Sequence, residues 1–287
     1  MTSKFVFGIL AFIAMTAVAY PGDDVKLKDA VSFYASFDEA MAPEVGVGAL
    51  STRFNTKEAG KFVVEPGYDK AKFRIAKGQG VAGGGCLEAV DVLPRNGRIF
   101  FPMKTNLAFK KGGWGGAFSM WINTDPNTLL KTTFCDPIQI TENGANNGGI
   151  WFDFNNAKPR DMRMGAFSAV PAGKVGIKEE DPNAPMVRVP KVGFKVGKWH
   201  HVVVSWDNFD TGKADAISTL YIDGKKIGDV KDRPIAMDWD VEKAGIYVAV
   251  NYVGLIDEMA LFNRALTGDE VTRLHAMPWL LSPNRKK

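Results

Sequence analysis

The sequence predicts an all-β fold that ends in a short helix. Within residues 198–230, two apolar runs flank a polar loop. In the first run, HHVVVSW at 200–206, the even-numbered side chains fall on one side of an extended chain, which is the period of two typical of a β-strand. The second run reverses at Asp223-Gly224, a dipeptide typical of a tight hairpin. These two features predict neighbouring antiparallel strands.

Further segments extend the strand pattern over most of the chain. Each has apolar side chains at every second residue, or a short apolar run bounded by turn residues. They are residues 30–40, 61–64, 71–75, 98–103, 115–123, 137–140, 150–155, 245–250 and 254–263. Residues 41–60 and 171–193 are instead rich in glycine or proline, so we predict long surface loops there.

A short helix is predicted after the last strand. The hydroxyl of Thr267 can accept a hydrogen bond from the backbone N–H of Glu270, whose carboxylate can reach back to Thr267; this arrangement is a capping box. The chain length favours one large domain, which we place at residues 30–277. Residues 278–287 end in the basic sequence PNRKK and are predicted to form a solvated tail.

Residues 1–19 have the pattern of a signal peptide. Lys4 precedes an apolar run, and the small residues AVA at 17–19 are typical of a cleavage site. That run is about half of the roughly 20 residues that a membrane-spanning helix needs, and no later run is longer, so no membrane span is expected. We therefore expect a secreted protein (extracellular, periplasmic or at the cell surface), with residues 20–29 as a linker to the domain.

The composition argues against a nucleic-acid partner. The chain has 36 lysines and arginines against 32 acidic residues, a formal net charge of +4. This excess is small, and no arginine-rich stripe with interleaved aromatic residues accompanies it.

Cys86 and Cys135 are the two cysteines of the chain. A disulfide between them would close a loop of about fifty residues and contribute on the order of 4 kcal/mol. Bond geometry decides whether it forms, so the free and the bonded states both stay open. Neither cysteine has the neighbouring histidine that a zinc site or a catalytic thiolate needs.

Several motifs carry a resemblance to a known family. The first strand ends in FDE at 37–39, a Trp-His pair at 199–200 precedes the LYIDG hairpin at 220–224, and residues 254–274 read GLIDEMALFNRALTGDEVTRL. Together they resemble the laminin-G-like (LamG-like) jelly-roll domains of the concanavalin A-like lectin/glucanase superfamily. The resemblance covers nearly all of residues 30–275 and implies two antiparallel sheets stacked as a jelly-roll sandwich.

The segment 150–155 has two faces of different chemistry. Trp151, Asp153 and Asn155 alternate with apolar residues and are predicted to share the polar face. A sugar ring stacks on an indole, and its hydroxyl groups need planar hydrogen-bonding partners nearby, so these three residues are the candidate ligand site. The alternative interpretation is a strand whose outer face is only solvated.

The resemblance also implies a cation, since some laminin-G-like relatives bind calcium. Calcium takes six to eight oxygen ligands from carboxylates and carbonyls. If the first and last strands are antiparallel neighbours, Asp38 and Asp257 come together, and they are the first candidates for a calcium site. Asp238, Asp240 and Glu242 are the second choice. In the alternative interpretation, these acids cap turns or pair with lysines.

Catalysis has one candidate motif. Enzymes with this general fold include glycoside hydrolases and polysaccharide lyases, and the retaining hydrolases carry Glu-x-Asp-x-Glu on a strand, which places two carboxyl groups about 5 Å apart. The nearest match is Asp238, Asp240 and Glu242, with aspartate in the first position. No serine-hydrolase elbow is present, and nothing in the sequence assembles a lyase set of tyrosine or histidine with arginine.

The leading hypothesis is a secreted, non-catalytic binding module for carbohydrate, either a polysaccharide or a glycan, or for an extracellular protein surface. A polysaccharide-acting hydrolase or lyase is the first alternative, and a structural cell-surface or matrix protein is the second. An enzyme would show converging carboxylates in a groove, whereas a matrix protein would self-associate without saturable sugar binding. The fold alone does not choose among these functions.

Overall fold

The computed structural model describes residues 21–56, 58, 61–131 and 133–283. Two helices flank a series of strands, and all pairing between strands is antiparallel. In chain order the elements are α1 Pro21–Asp29, β1 Val31–Ala35, β2 Ser51–Asn55, β3 Phe62–Pro66, β4 Phe73–Ile75, β5 Leu87–Ala89, β6 Arg98–Pro102, β7 Trp114–Asn123, β8 Cys135–Thr141, β9 Gly149–Phe154, β10 Met162–Phe167, β11 Met186–Val189, β12 His200–Phe209, β13 Ala216–Ile222, β14 Lys225–Arg233, β15 Gly245–Val250, β16 Gly254–Phe262 and α2 Gly268–Ala276.

The strands form two eight-stranded sheets. Sheet A has the order β14-β13-β12-β7-β16-β5-β4, and β1 also pairs with β16. Sheet B has the order β11-β10-β9-β8-β15-β6-β2-β3. Half of the neighbouring pairs join strands that are not consecutive in the chain, such as β12 with β7 and β8 with β15, which is the connectivity of a two-sheet sandwich rather than of a simple meander. The predicted all-β, two-sheet antiparallel fold with a short C-terminal helix is therefore confirmed.

The core lies between the two sheets and follows the alternation in the sequence. Val202, Val204 and Trp206 of β12 point into it from sheet A, together with the even-numbered residues of β7 from 118 to 122. Phe152 of β9 points into it from sheet B. The rings of Phe118 and Phe152 lie 6.0 Å apart and join the sheets.

A second apolar cluster covers the other face of sheet A. Leu27 of α1 and Val271 and Leu274 of α2 pack there against Tyr34 and Val203. Residues 20–29 were assigned to a linker in the sequence analysis, but Pro21–Asp29 is a helix that packs on the sheet through Leu27. The predicted signal peptide, residues 1–19, lies outside the described residues.

The C-terminal helix begins with the predicted capping box. The Thr267 hydroxyl accepts from the Glu270 N–H, and the Glu270 carboxylate accepts from the Thr267 N–H. Leu280 and Leu281, which the sequence analysis placed in the tail, are buried in the second cluster. Two apolar side chains therefore extend the packed domain beyond residue 277, and only residues 284–287 of the basic end fall outside the described part.

Three strands lie where the sequence did not predict them. β2 lies inside residues 41–60 and β11 inside residues 171–193, both expected to be loops, and β10 was not predicted at all. β2 is a short strand of sheet B, and its alternate residues Thr52 and Phe54 are buried. Flanking glycines and prolines concealed β2 and β11 in the sequence. β10 and β11 pair with strands consecutive in the chain, whereas β2 pairs both with β3 and with the more distant β6.

Cys86 and Cys135 are free, buried thiols. Cys86 directly precedes β5 of sheet A, whereas Cys135 begins β8 of sheet B. Burial raises the pKa of each thiol to about 12, so both are protonated and unreactive at neutral pH. Of the two states left open by the sequence, the structure has the unbonded one.

Candidate functional site

The outer face of sheet B carries the polar residues of the candidate ligand site. We use this name for the side that bears Gln139 of β8, Trp151 and Asp153 of β9, Arg163 of β10 and Tyr247 of β15. The residues that alternate with them in these strands are apolar and lie in the core between the sheets. Strand register places Gln139 beside both Trp151 and Tyr247, and Asp153 beside Arg163.

Trp151 is packed within this face. Its side chain is 1% exposed, its indole N–H donates to the Ala145 carbonyl at 2.9 Å, and its ring stacks on Phe167 with centroids 5.8 Å apart. On the neighbouring strand, a Cβ at Gly165 would lie 2.5 Å from the indole Cε2, so only glycine leaves room for the ring. The indole is therefore buried in this conformation and is not an open stacking platform.

Asp153 forms a buried ion pair with Arg163. The Arg163 guanidinium donates through Nε to Asp153 Oδ1 at 2.8 Å and through Nη2 to Oδ2, while its Nη1 donates to Glu179 at 2.6 Å. Glu179 belongs to the proline-rich segment 171–193, so this network ties that segment down over the sheet. Asn146 donates to Glu179 at 2.8 Å and strengthens the attachment.

Burial shapes the electrostatics of the face. It raises the pKa of Asp153 to about 6, although Arg163 acts in the opposite direction. Burial, with repulsion from Asp153, raises the pKa of Asp136 as well, while Arg98 and Arg163 oppose that shift. Two acids and two arginines thus interact at short range, and burial favours the neutral form of both acids.

Asn155 lies apart from the other two predicted ligand residues. It follows the end of β9 and is half-buried, and its side-chain Oδ1 accepts from the Asp161 N–H at 2.9 Å. The Arg160 guanidinium donates to its backbone carbonyl. Asn155 therefore shapes the turn between β9 and β10, whereas Trp151 and Asp153 are members of the polar face itself.

Several members of the face were not predicted as ligand residues. Arg98 donates to Gln139 at 3.2 Å, and Arg53 donates to the Tyr247 hydroxyl at 2.7 Å. Gln139, Arg163 and Tyr247 alternate with apolar neighbours in their strands. That alternation was available in the sequence, but which strands lie side by side was not, because the pairing comes from the tertiary fold.

A cleft opens beside the face. It has a volume of about 320 Å³ and is lined by Phe134, Asn146, Val170, Ile177, Glu179 and Glu180. The Arg163 guanidinium lies 4.8 Å from the Phe134 ring centroid, so the cleft borders the buried network directly. Segment 171–193, predicted as a surface loop, supplies one wall, with carboxylate and apolar side chains together.

Asp257 marks a second candidate site, at the junction of β1 and β16. These two strands pair antiparallel, with Ala35 beside Met259, which was the condition stated for bringing Asp38 and Asp257 together. Asp257 is 1% exposed; its Oδ2 accepts from the Val81 N–H at 2.7 Å, and its Oδ1 has no hydrogen-bond partner among the described residues. Burial, with repulsion from Glu258 and Asp38, raises the pKa of Asp257 to about 9.

The glycine-rich segment 78–85 packs against this carboxylate. A Cβ at Gly80 would lie 2.9 Å from Asp257 Oδ2 and 3.0 Å from the Gly84 carbonyl oxygen, so the chain passes close to both. A Cβ at Gly85 would lie even closer to backbone, at 2.3 Å from the Asp38 carbonyl oxygen and 2.7 Å from that of Phe37. The glycines therefore serve this close packing of backbone around a buried acid.

Backbone carbonyl oxygens of Gly84 and Gly85 lie close to the Asp257 carboxyl group. The described residues contain no group of three or more histidine, cysteine, aspartate or glutamate side chains that could hold a metal. A cation at this place would bind the carboxylates of Asp38 and Asp257 together with backbone carbonyl oxygens. Calcium accepts such a mixed set of ligands.

The three catalytic candidates lie outside the strands. Asp238, Asp240 and Glu242 belong to the irregular segment between β14 and β15, so the period of two that would aim their carboxyl groups in one direction is missing. Each pairs with a lysine, at 2.7 Å for Asp238, 2.8 Å for Asp240 and 2.6 Å for Glu242. Lys243 lowers the pKa of Asp240, the opposite of what a general acid requires.

A profile of the Laminin_G_3 family, in the concanavalin A-like lectin/glucanases superfamily, matches residues 105–272. The chain belongs to this family. The matched residues include β7–β16, which contribute strands to both sheets and carry most of the polar face. No curated protein matches the chain. No helix among the described residues is long and apolar enough to cross a membrane.

Solved structures share the Laminin_G_3 fold of this chain. Domain 4 of AbnA, a GH43 extracellular arabinanase from Geobacillus stearothermophilus in complex with arabinotriose, superposes with a TM-score of 0.50 at 18% identity, over 85% of this chain and 98% of that one. The binding domain of botulinum neurotoxin DC in complex with rat synaptotagmin II gives 0.53 at 11% identity, over 87% of this chain and 52% of that one. The chain thus spans about half of the neurotoxin domain.

Proposed function

We propose that this chain is a carbohydrate-binding domain whose ligand contacts the outer face of sheet B and the adjoining cleft. The observation that carries the proposal is the part of this face that reaches solvent, namely the cleft lined by Asn146, Glu179 and Glu180 and the half-buried guanidinium groups of Arg53 and Arg98. Gln139, Arg163 and Tyr247 are at most 3% exposed and hold these groups in place from below. Hydroxyl groups of a sugar need donors and acceptors at short spacing, and this face supplies both.

The mixed charge of the face favours a neutral sugar. Lys178, Glu179 and Glu180 line the cleft, so a strongly anionic polysaccharide would meet carboxylates as well as an ammonium group. The AbnA domain, which shares the fold, was solved with arabinotriose. The neurotoxin binding domain was solved with a protein, synaptotagmin II. Binding of a protein instead of a sugar is therefore a second outcome that the test can give.

The test is a glycan and polysaccharide array on the purified protein, with release of reducing sugar measured in parallel. We expect binding without release. Arg98→Ala should weaken the binding at least about tenfold, because it removes a donor from the face. The matched control is Lys226→Ala, which removes a lysine from β14 of the other sheet.

The same measurements separate the alternatives. Release of reducing sugar would replace the proposal with the hydrolase hypothesis. Self-assembly without saturable sugar binding would favour a matrix protein. Binding that Arg98→Ala and Lys226→Ala reduce equally would contradict the proposed face.

We further propose that calcium binds beside Asp257 and stabilises the domain. At a calcium concentration 100 times the dissociation constant, the free energy of unfolding should rise by about 2.7 kcal/mol. Asp257→Asn should abolish this increase while leaving stability in chelator near pH 7 almost unchanged, because a pKa of about 9 keeps Asp257 protonated, and therefore neutral like the amide, when no cation is bound. Thermal unfolding in calcium, in magnesium and in chelator measures the effect, and equal melting temperatures for the native chain in calcium and chelator would contradict it.

We also propose that the protein is exported. The support is the signal-peptide pattern of residues 1–19. Mass spectrometry of the protein recovered outside the cytoplasm should give a chain that begins at Tyr20, whereas recovery of the uncleaved chain from the cytoplasm alone would contradict export.

A further inference from the structure

Strand β3 is an open edge of sheet B with apolar residues on both faces. Its one strand partner among the described residues is β2, and the side chains of Phe62, Val63 and Val64 are 44%, 43% and 50% exposed. Edge strands of this kind are templates for pairing with another strand, and soluble proteins usually protect them with charges, proline or a bulge. Here Pro66 comes only at the end of the strand.

The backbone of β3 presents a defined set of free groups. The Thr56 N–H donates to the Lys61 carbonyl and the Gly67 N–H to the Leu50 carbonyl, each at 2.9 Å, so the hydrogen-bonded positions of the β2–β3 ladder alternate from residue 61 to 67. Val63 therefore directs its N–H and C=O toward β2. Phe62 and Val64 direct theirs away from β2, to the open edge.

We propose that a second copy of this chain pairs with β3 through its own β3, antiparallel about a two-fold axis at Val63. In this register Phe62 of one copy lies opposite Val64 of the second copy, and the outward backbone groups of these residues make four hydrogen bonds. Residues 63 of the two copies face each other. An aromatic residue opposite a β-branched one is a favourable cross-strand pair.

Charge complementarity selects this register. It places Lys61 of each copy opposite Glu65 of the second copy, which forms two ion pairs across the axis. Glu65 has no ion-pair partner among the described residues, and the partner of Lys61 is Glu58 in an exposed pair, which contributes little to stability. Sliding the second strand by two residues in either direction separates Lys61 from Glu65.

The short length of β3 predicts a weak dimer. Five residues from each copy bury much less surface than a stable interface does, so the dimer should form at high micromolar concentrations. Sedimentation velocity from about 10 μM to about 1 mM covers that range. The expected result is a concentration-dependent monomer–dimer equilibrium.

Two sets of variants locate the interface. Val64→Pro removes an N–H that points away from β2, so it costs no hydrogen bond within the chain and should abolish the dimer with an unchanged circular dichroism spectrum. Lys61→Glu should weaken dimerisation at least about threefold because it places two glutamates opposite each other, and the double variant Lys61→Glu/Glu65→Lys should restore it. The charge variants test the register even if Val64→Pro does not fold.

Cross-linking gives an independent readout. Directly opposite residues of a non-hydrogen-bonded pair lie about 4.5 Å apart between Cα atoms, within the range of a disulfide. Val63→Cys should therefore form a disulfide dimer at least about tenfold faster than Val64→Cys, whose copies are diagonal at about 7–8 Å. The native cysteines are buried, so they should not form disulfides that compete with those of the introduced cysteines.

Three results would overturn the proposal. The first is a monomer up to about 1 mM with equal cross-linking of the two cysteine variants. That result would favour a strand of another protein as the partner of β3. The second is a dimer that Val64→Pro does not affect. The third is a dimer that Lys61→Glu weakens but the double variant does not restore.

Discussion

At the scale of single residues, the charged side chains within the polar face are the groups whose burial costs the most free energy. Asp153 and Arg163 are each 3% exposed and compensate each other through two parallel hydrogen bonds. A buried pair of this kind adds little compared with apolar residues, but removal of one partner leaves a charge without compensation. The pair therefore fixes the arrangement of β9, β10 and the segment around Glu179.

The ion pair gives the first prediction. Arg163→Met should reduce the free energy of unfolding by about 3–5 kcal/mol, because Asp153 would keep a buried charge without its partner. The double variant Arg163→Met/Asp153→Asn should recover a large part of that loss. Urea unfolding of the native chain, both single variants and the double variant measures the coupling, and additive losses would show that the two side chains act independently.

At the scale of elements, α2 closes the outer surface of sheet A over a stack of rings. His201 of β12 and His275 of α2 both stack on Trp121 of β7, with centroids 4.9 and 5.3 Å away. His201 Nε2 lies 2.8 Å from the Ser119 hydroxyl, while its Nδ1 has no partner among the described residues. A second proton on His201 would therefore leave a buried N–H without a hydrogen-bond acceptor among the described residues.

The stack predicts a pH-dependent stability. Burial, with repulsion from His275, lowers the pKa of His201 to about 3 from its ordinary value of 6.5, so the unfolded chain binds the proton first as the pH falls. This contribution to stability is complete above pH 6.5 and is lost as the pH falls toward 3. Between pH 7 and pH 5 it amounts to about 2 kcal/mol.

Substitution of His201 isolates this contribution from the other titrating groups. His201→Gln should be less stable than the native chain at pH 7 but should approach it at pH 5, since glutamine does not titrate. His200→Gln is the comparison variant at the end of the same strand: His200 is half-buried and its Nδ1 lies 2.9 Å from Asp223, so this variant shows how much the loss of a paired histidine changes the same measurement. Urea unfolding at both pH values measures the difference, and a constant difference between His201→Gln and the native chain would refute the assignment.

At the scale of the whole molecule, the two sheets share one core, so they should unfold together. Trp206 and Phe118 of sheet A pack against Phe152 of sheet B in a single apolar cluster. Neither sheet can bury its inner face without the other. The two free thiols report on this directly, since Cys86 adjoins sheet A and Cys135 lies in sheet B.

Cooperative unfolding predicts one transition for both thiols. Labelling of Cys86 and Cys135 at increasing urea, followed by peptide mass spectrometry, should give the same midpoint as circular dichroism. Phe152→Ala should lower both midpoints equally and cost about 3–5 kcal/mol, because it removes a ring from the shared core. Labelling of one thiol at clearly lower urea would instead show that its sheet opens separately.

The sequence alone determined the elements whose patterns are local. Alternation within 200–206 and 118–122 predicted which side chains enter the core, Asp223-Gly224 predicted the hairpin, and Thr267 with Glu270 predicted the helix start. Each pattern depends on residues a few positions apart, so it needs no knowledge of the partner strand. The family resemblance then supplied the two-sheet arrangement.

Only the tertiary structure decided what the outward-facing residues contact. Trp151 was predicted as an exposed platform, but Gly165 and Phe167 of the next strand bury it, and Glu179 arrives from a distant segment to hold Arg163. Of the two short strands within the predicted loops, β2 likewise pairs with the distant β6, while β11 adds to the edge of sheet B beside β10. Alternation tells which way a side chain points, whereas its exposure depends on strand order and on the loops that fold over the sheet, and these are long-range properties.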